Sequence, residues 1–278
     1  MSRFHQTFEK CRREGRAALM PYMTAGDPSL EWTERLIDAC LAAGADMIEL
    51  GMPYSDPLAD GPTVQAAGQR ALAAGTTIDA VFRLGARVRS RHPEVPVALL
   101  IYYNNIFRRG IERFVNEAAA AGFDGLIVPD LPPDEAGPLE KHARDAGIAI
   151  IYLVAPTSTP ERIRLIVSRG SGFLYCVSLT GVTGARERLA ESLEPFLARV
   201  RAEVRAQRKD LPLAVGFGIS TPGHVARVSR LADGVIVGSA LIDTFHSRST
   251  PAEGIEACYS LIASMREALN PPGVAVAE

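Results

Sequence analysis

A short apolar segment that follows a helix-ending glycine or Asp-Gly pair recurs along the whole chain, and this repetition constrains the fold more than any other feature. Five copies carry four to six apolar residues, rich in isoleucine and valine, at residues 42–51, 120–130, 145–154, 168–178 and 230–239. Glycine suits the left-handed position just past a helix, and a short apolar run is typical of a strand buried on both faces of a parallel sheet. Three further runs, at residues 17–24, 95–103 and 211–218, fit the same role. The repetition therefore predicts eight parallel strands.

Amphipathic stretches of helical length separate these segments. They lie at residues 30–43, 77–90, 111–121, 133–146, 159–169 and 192–206. Several begin with Ser, Thr or Asp, or carry an early Pro, as helix starts do. Eight alternating strand and helix units predict a closed (β/α)8 TIM barrel. The alternative is an open doubly wound sheet, but such sheets commonly have fewer strands, and no Gly-x-Gly-x-x-Gly motif follows the first strand.

The length of 278 residues is near that of one TIM barrel. Residues 4–15 predict an extra N-terminal helix that would plug the bottom of the barrel. No linker or low-complexity tract interrupts the pattern, so we expect residues 1–278 to form a single domain with a frayed tail at about 270–278.

Composition excludes several classes of protein. The net charge of −2, from 30 basic and 32 acidic residues, leaves no positive excess for nucleic acid or an anionic membrane surface. No apolar run approaches the ~18–20 residues of a membrane span, and the first twenty residues lack the apolar core of a signal peptide. The four cysteines are scattered without a Cys-x-x-Cys pair, so we expect no disulfide framework or zinc ribbon, and a cytoplasmic location.

In a TIM barrel, functional residues lie where strands end and the following loops begin. None of the three lysines and none of the five histidines stands at a predicted strand end. A Schiff-base nucleophile and an imidazole-held metal are therefore not expected. No serine or cysteine has the surroundings of a nucleophile elbow. Among these kinds of catalysis, acid–base catalysis by a carboxylate therefore remains as the expectation.

Two carboxylates near the second strand are the candidates for this chemistry. Glu49 lies inside the apolar strand Met-Ile-Glu-Leu-Gly, where burial would raise its pKa toward neutrality; the alternative is an ion pair with an arginine at the barrel rim. Asp60 follows in the loop Asp-Pro-Leu-Ala-Asp-Gly-Pro, and the alternative there is an ordinary helix N-cap.

Glycine-rich loops follow the last three predicted strands, at residues 181–184, 216–220 and 238–239. Their backbone N–H groups can approach a phosphate closely, and TIM barrels often bind phosphate at the loops after strands seven and eight. Apolar residues in or beside the strands could form the wall of a pocket for an aromatic ligand, although barrel core is the alternative for most of them: Tyr22, Leu100, Ile127, Leu153, Tyr175 and Phe217. The residues alone thus predict a metal-free lyase or isomerase acting on an organic phosphate. The alternative is a barrel that binds a phosphate without chemistry and regulates a partner.

Residues 48–62 resemble the signature of the tryptophan synthase α subunit family. Residues 21–28, 177–186 and 216–225 are similar to further blocks of that family, and the likeness runs in order from about residue 4 to about residue 268. The resemblance implies a carbon–carbon lyase of tryptophan biosynthesis that cleaves indole-3-glycerol phosphate to indole and glyceraldehyde 3-phosphate by a retro-aldol reaction.

The resemblance also assigns roles to residues. Glu49 would be the acid–base group, and Asp60 would accept a hydrogen bond from the indole N–H. Tyr175 would flank Glu49, and Phe217 would pack against the indole together with apolar strand residues.

The remaining expected substrate-binding residues would line the indole pocket, hold the phosphate or belong to a lid at 179–190 that closes over the substrate. They are Tyr22, Leu100, Thr183, Gly184, Gly216, Gly218, Gly238 and Ser239.

A partner is implied as well. The family works as an αββα complex with a β subunit that holds pyridoxal phosphate, so no cofactor is expected in this chain, and the loop 53–60 and the segment around Asn104 would face the partner. Relatives usually read Tyr-Tyr-Asn-Pro-Ile in that segment, whereas this chain has Asn105 in place of the proline. We expect a freer loop and a modest effect on partner affinity. A stand-alone lyase of the same family remains an alternative.

Overall fold

The computed structural model describes residues 1–178, 188–216 and 218–269, with the backbone alone for 188–192. The strands, all parallel, are β1 (Ala18–Thr24), β2 (Ile48–Gly51), β3 (Val97–Leu100), β4 (Gly125–Ile127), β5 (Ala149–Ile151), β6 (Leu153–Val154), β7 (Leu174–Val177), β8 (Leu213–Gly216) and β9 (Gly234–Val237). The helices are α1 (Arg3–Arg13), α2 (Leu30–Ala42), α3 (Pro62–Ala73), α4 (Ile78–Arg91), α5 (Tyr103–Arg109), α6 (Ile111–Ala120), α7 (Gly137–Asp145), α8 (Pro160–Arg169), α9 (Arg188–Ala206), α10 (Pro222–Val228), α11 (Ser239–His246) and α12 (Pro251–Glu267).

The strands form one nearly closed barrel in the order β5-β4-β3-β2-β1-β9-β8-β7-β6. Only Tyr152 separates β5 from β6, and its carbonyl accepts a hydrogen bond of 3.0 Å from the N–H of Tyr175 on β7. The two short strands are therefore halves of one barrel strand, and the eight predicted strands are all present. The order follows the chain around the barrel without the reversal of a doubly wound sheet, so the TIM barrel is confirmed.

Helix α1 plugs the barrel at the N-terminal ends of the strands, as the sequence predicts. Phe4 and Phe8 are buried, and their ring centroids lie 5.5 Å and 5.9 Å from that of Phe173, just before β7. The glycines that begin β4 and β9 leave room for these two rings, since a Cβ at Gly125 or Gly234 would lie 2.9 Å or 3.2 Å from them. The apolar interior is thus sealed at one end, and the opposite end stays available for a site.

Helix α5 stands where the sequence predicts a loop. It begins at Tyr103, whose N–H donates a 2.9 Å hydrogen bond to the carboxylate of Asp130, beyond the end of β4. A cap from 27 residues away leaves no local signal in the sequence. Asn105 lies in the first turn, where its N–H donates to the carbonyl of Tyr102 at 3.1 Å, so the freer loop expected there is wrong.

None of the helices in the described part of the chain combines the length and the apolar character that a membrane crossing requires.

Candidate active site

A cavity of ≈ 220 Å³ opens at the C-terminal ends of the strands, and we call it the barrel-mouth cavity. It brings together eight of the residues that the sequence singles out: Tyr22, Glu49, Asp60, Leu100, Tyr175, Gly218, Gly238 and Ser239. These residues come from β1, β2, β3 and β7 and from the loops that follow β2, β8 and β9. Their convergence depends on barrel closure, because they span more than two hundred residues of the chain.

Glu49 occupies the floor of the barrel-mouth cavity. On β2 it lies in register between Tyr22 on β1 and Ala98 on β3, and its side chain is fully buried. Neither carboxyl oxygen has a hydrogen-bond partner among the described residues, so the alternative of an arginine ion pair is not observed there. Burial, and secondarily the nearby charge of Asp60, raises the pKa of Glu49 to about 8. The carboxyl group thus holds its proton at neutral pH, and no hydrogen bond to another described residue ties it to a structural role.

Asp60 approaches the cavity from the loop between β2 and α3. Burial raises its pKa to about 6, although the nearby Tyr102 hydroxyl acts in the opposite direction. Asp60 is not the cap of α3, because the N-cap residue is Gly61 and no side chain caps that helix. The carboxyl group therefore does not have the N-cap role that was the alternative in the sequence analysis.

Two tyrosines, Tyr22 and Tyr175, line the cavity, and each is seated against a glycine. A Cβ at Gly51 would lie 2.3 Å from the hydroxyl oxygen of Tyr22, and a Cβ at Gly216 would lie 2.4 Å from that of Tyr175. Gly216 therefore makes room for a wall residue. Burial raises the pKa of both tyrosines well above the ordinary value, so both hydroxyls keep their protons.

The N-terminus of α11 forms another side of the cavity. Its N-cap is Gly238, which provides no side-chain cap, and Ser239 is the first helical residue. Gly218, with a φ of 72°, lines the same cavity from the loop after β8. Uncapped N–H groups and the helix dipole favour an anion at such an end.

Sequence reasoning missed three residues of the cavity, Val64, Ile236 and Asp243, whereas Gly61, Ile219, Ser220 and Ala240 lie in or beside loops that it named. Asp243 follows Ser239 by one helical turn. The hydrogen bond to Asp27 raises the pKa of Arg70 on α3, and the charge of Asp243 adds a smaller effect in the same direction. An exposed aspartate on a surface helix carries no signal in a single sequence. Gly51 could have been found, because a glycine inside a strand often marks a close approach.

Three of the expected substrate-binding residues, Thr183, Gly184 and Phe217, lie outside the described residues. The same holds for the greater part of the expected lid at 179–190 and for the expected tail at 270–278.

Known proteins with similar sequences share one description. The family model for the tryptophan synthase alpha chain matches residues 8–270. The tryptophan synthase alpha chain of Chloroflexus aggregans is 51% identical over 262 residues, which cover 94% of this chain and 96% of the relative. That of Geotalea daltonii is 49% identical over 249 residues, covering 90% and 92%.

Solved structures agree with the sequence relatives. Tryptophan synthase subunit alpha from Legionella pneumophila superposes with a TM-score of 0.88 at 38% identity, covering 97% of this chain and 98% of that one. A chain in a structure of Mycobacterium tuberculosis tryptophan synthase gives a TM-score of 0.86 at 35% identity, with 97% and 99% covered. The chain belongs to the tryptophan synthase alpha chain family.

Proposed function

We propose that this chain is the lyase subunit that cleaves indole-3-glycerol phosphate to indole and glyceraldehyde 3-phosphate in tryptophan biosynthesis, by acid–base catalysis with Glu49 and Asp60. The observation that carries the proposal is the pair of carboxyl groups in one cavity with raised and separated pKa values, about 8 for Glu49 and about 6 for Asp60. Carboxyl groups whose surroundings separate their pKa values commonly divide the acid and base roles.

The two protonation states suit the two halves of a retro-aldol reaction. Protonated Glu49 delivers its proton to C3 of the indole, and Asp60, as a carboxylate, accepts a hydrogen bond from the indole N–H where positive charge develops. The carboxylate of Glu49 then takes the proton of the glycerol hydroxyl beside the ring. The carbon–carbon bond breaks, its electron pair returns to the indole, and an aldehyde forms. Glu49 ends protonated, as it began.

The rest of the cavity suits the remaining parts of the substrate. Tyr22, Leu100 and Tyr175 offer an apolar wall for the indole, to which the family resemblance adds Phe217. Gly218, Gly238 and Ser239 surround the N-terminus of α11, where the phosphate would lie with the help of Gly184. Thr183 would belong to a lid that excludes water.

The alpha-chain description of the relatives implies a partner subunit. We propose an αββα complex in which the β subunit holds pyridoxal phosphate, while this chain needs no cofactor. Its lysines, Lys10, Lys141 and Lys209, are not among the residues that line the barrel-mouth cavity. Leu58, 95% exposed, and Phe107, 65% exposed, are large apolar side chains on the loop 53–60 and on α5, which suits the proposed contact. We also propose a cytoplasmic location, which the four free, buried cysteines fit.

Indole release from indole-3-glycerol phosphate by the purified chain, with and without a β subunit, tests the proposal. Glu49→Gln keeps the shape of the buried side chain but has no proton to give. Glu34→Gln is the matched control, since Glu34 bonds Arg87 and Arg91 on the outer helices. We expect slow release by the chain alone, strong acceleration by the partner, loss in Glu49→Gln and no change in Glu34→Gln. Fast release without a partner would favour a stand-alone lyase, and no indole in either condition would favour a non-catalytic phosphate-binding barrel.

A further inference from the structure

The loop that carries Asp60 is held by a buried tyrosine outside the cavity wall. Tyr102 follows β3, is 3% exposed, and its hydroxyl oxygen accepts a 3.0 Å hydrogen bond from the N–H of Ala59. The ring of Tyr54, from the same loop, stacks on the Tyr102 ring with centroids 4.8 Å apart and 19° between the planes. One side chain thus fixes the loop by a hydrogen bond and by a stacked ring, and Ala59 is the residue directly before Asp60.

The bond from Ala59 leaves the proton of the Tyr102 hydroxyl free to be donated. A phenol has one proton to donate, and an ionised carboxylate can only accept. Because the N–H of Ala59 already occupies a lone pair of the Tyr102 oxygen, the proton of Tyr102 is available to Asp60. Burial raises the pKa of Asp60, and the nearby Tyr102 hydroxyl acts in the opposite direction.

The other titratable groups that face Asp60 come from three strands. They are Tyr22 on β1, Glu49 on β2 and Tyr175 on β7. All three have raised pKa values, so they are neutral near pH 7. Among the described residues, Tyr102 is the side chain whose hydroxyl favours the ionised form of Asp60. Asp130 is a further carboxylate near Tyr102, where it accepts from the N–H of Tyr103.

We propose that Tyr102 is a positioning residue for the reaction: by holding Ala59 and Tyr54 it aims the carboxylate of Asp60 into the barrel-mouth cavity, and its hydroxyl, which keeps a proton to donate, favours the ionised form of that carboxylate. This inference rests on the proposed function, in which ionised Asp60 accepts the indole N–H. Tyr102 is not among the residues that line the cavity, so its effect is exerted through Asp60 and the loop.

Tyr102→Phe removes the hydroxyl and keeps the ring that stacks on Tyr54. The matched control is Tyr152→Phe, since Tyr152 is also a buried tyrosine, and its hydroxyl donates to Glu140 at 2.6 Å, outside the cavity. The experiment measures kcat and KM of the full chain for indole release between pH 5 and pH 9. We expect the acid limb of kcat/KM to move up by about one pH unit in Tyr102→Phe, which is about a tenfold loss below the limb and a smaller loss at pH 8. We expect the acid limb of kcat/KM in Tyr152→Phe to stay at the pH of the original chain.

A titration without turnover supplies the second readout. Carbon-13 NMR of aspartate-labelled chain, with Asp60 assigned by its absence in Asp60→Asn, gives the pKa of Asp60 directly, and thermal unfolding confirms that each variant is folded. The inference is overturned if Tyr102→Phe loses activity equally at every pH with the Asp60 titration unmoved, or if Tyr152→Phe shifts the limb as far. Absence of indole release from the original chain would instead contradict the proposed function, and the NMR titration would still decide whether Tyr102 keeps Asp60 ionised.

Discussion

At the scale of a single residue, the burial of Glu49 affects both the stability of the fold and the proposed chemistry. An unpaired carboxyl group inside a barrel is rare, because burial penalises its ionised form. The chain keeps it protonated by raising its pKa from 4.5 to about 8, so the property that suits it to proton transfer is also a burden on stability.

Replacing Glu49 by glutamine should therefore stabilise the chain in a pH-dependent way. Native Glu49 holds a proton that the unfolded chain loses above its ordinary pKa of 4.5, so the free energy of unfolding of the original chain falls as pH rises from there to about 8. Glutamine does not titrate. We expect Glu49→Gln to gain about 4 kcal/mol at pH 8 and little at pH 4.5, as measured by urea unfolding.

Glu34→Gln should change stability in the opposite direction, since hydrogen bonds from arginines lower the pKa of Glu34 and glutamine would lose those ion pairs. Equal stability of Glu49→Gln and the original chain at both pH values would contradict a raised pKa in the folded state.

Gly51→Ala tests the close approach that seats Tyr22. The new methyl group would meet the Tyr22 hydroxyl, so the ring must move into the cavity. We expect a loss of about 1–3 kcal/mol in the free energy of unfolding and a higher KM for the substrate. Gly137→Ala, where a Cβ meets nothing within 4 Å, is the control and should leave both quantities nearly unchanged. An unaltered KM in Gly51→Ala would show that Tyr22 does not shape the binding site.

At the scale of the elements, one end of the barrel stabilises the fold and the other end forms the site. Helix α1 closes the N-terminal end with aromatic rings, and the loops after β2, β8 and β9 build the cavity at the other end. Stability and catalysis should therefore respond to different substitutions.

Phe8→Ala in α1 tests this separation. Truncation of a buried aromatic ring leaves a cavity beside Phe173, and we expect a loss of about 3–5 kcal/mol in unfolding free energy with KM unchanged. Phe107→Ala, at an exposed position on α5, should stay within about 0.5 kcal/mol of the original chain. A KM that rises with Phe8→Ala would mean that the plug and the site are coupled.

At the scale of the whole molecule, the repeat pattern predicted the barrel, because each strand and helix unit leaves a local signal of apolar run, glycine and cap. Glu49 was predictable for the same reason, as a charge inside an apolar strand. The distances across the barrel were not predictable, since the hydroxyl of Tyr102 on the N–H of Ala59 joins residues 43 apart in the chain. That residues 1–278 form one domain stays a prediction, which the single continuous sheet supports.

The pH dependence of kcat/KM for indole release by the full chain tests the proposed chemistry most directly. The free enzyme must hold Asp60 ionised and Glu49 protonated, so we expect a bell-shaped profile with apparent pKa values near 6 and 8, which belong to the interacting pair. A profile that keeps rising through pH 9 would mean that ionised Glu49 starts the reaction, and would contradict the acid role assigned to it.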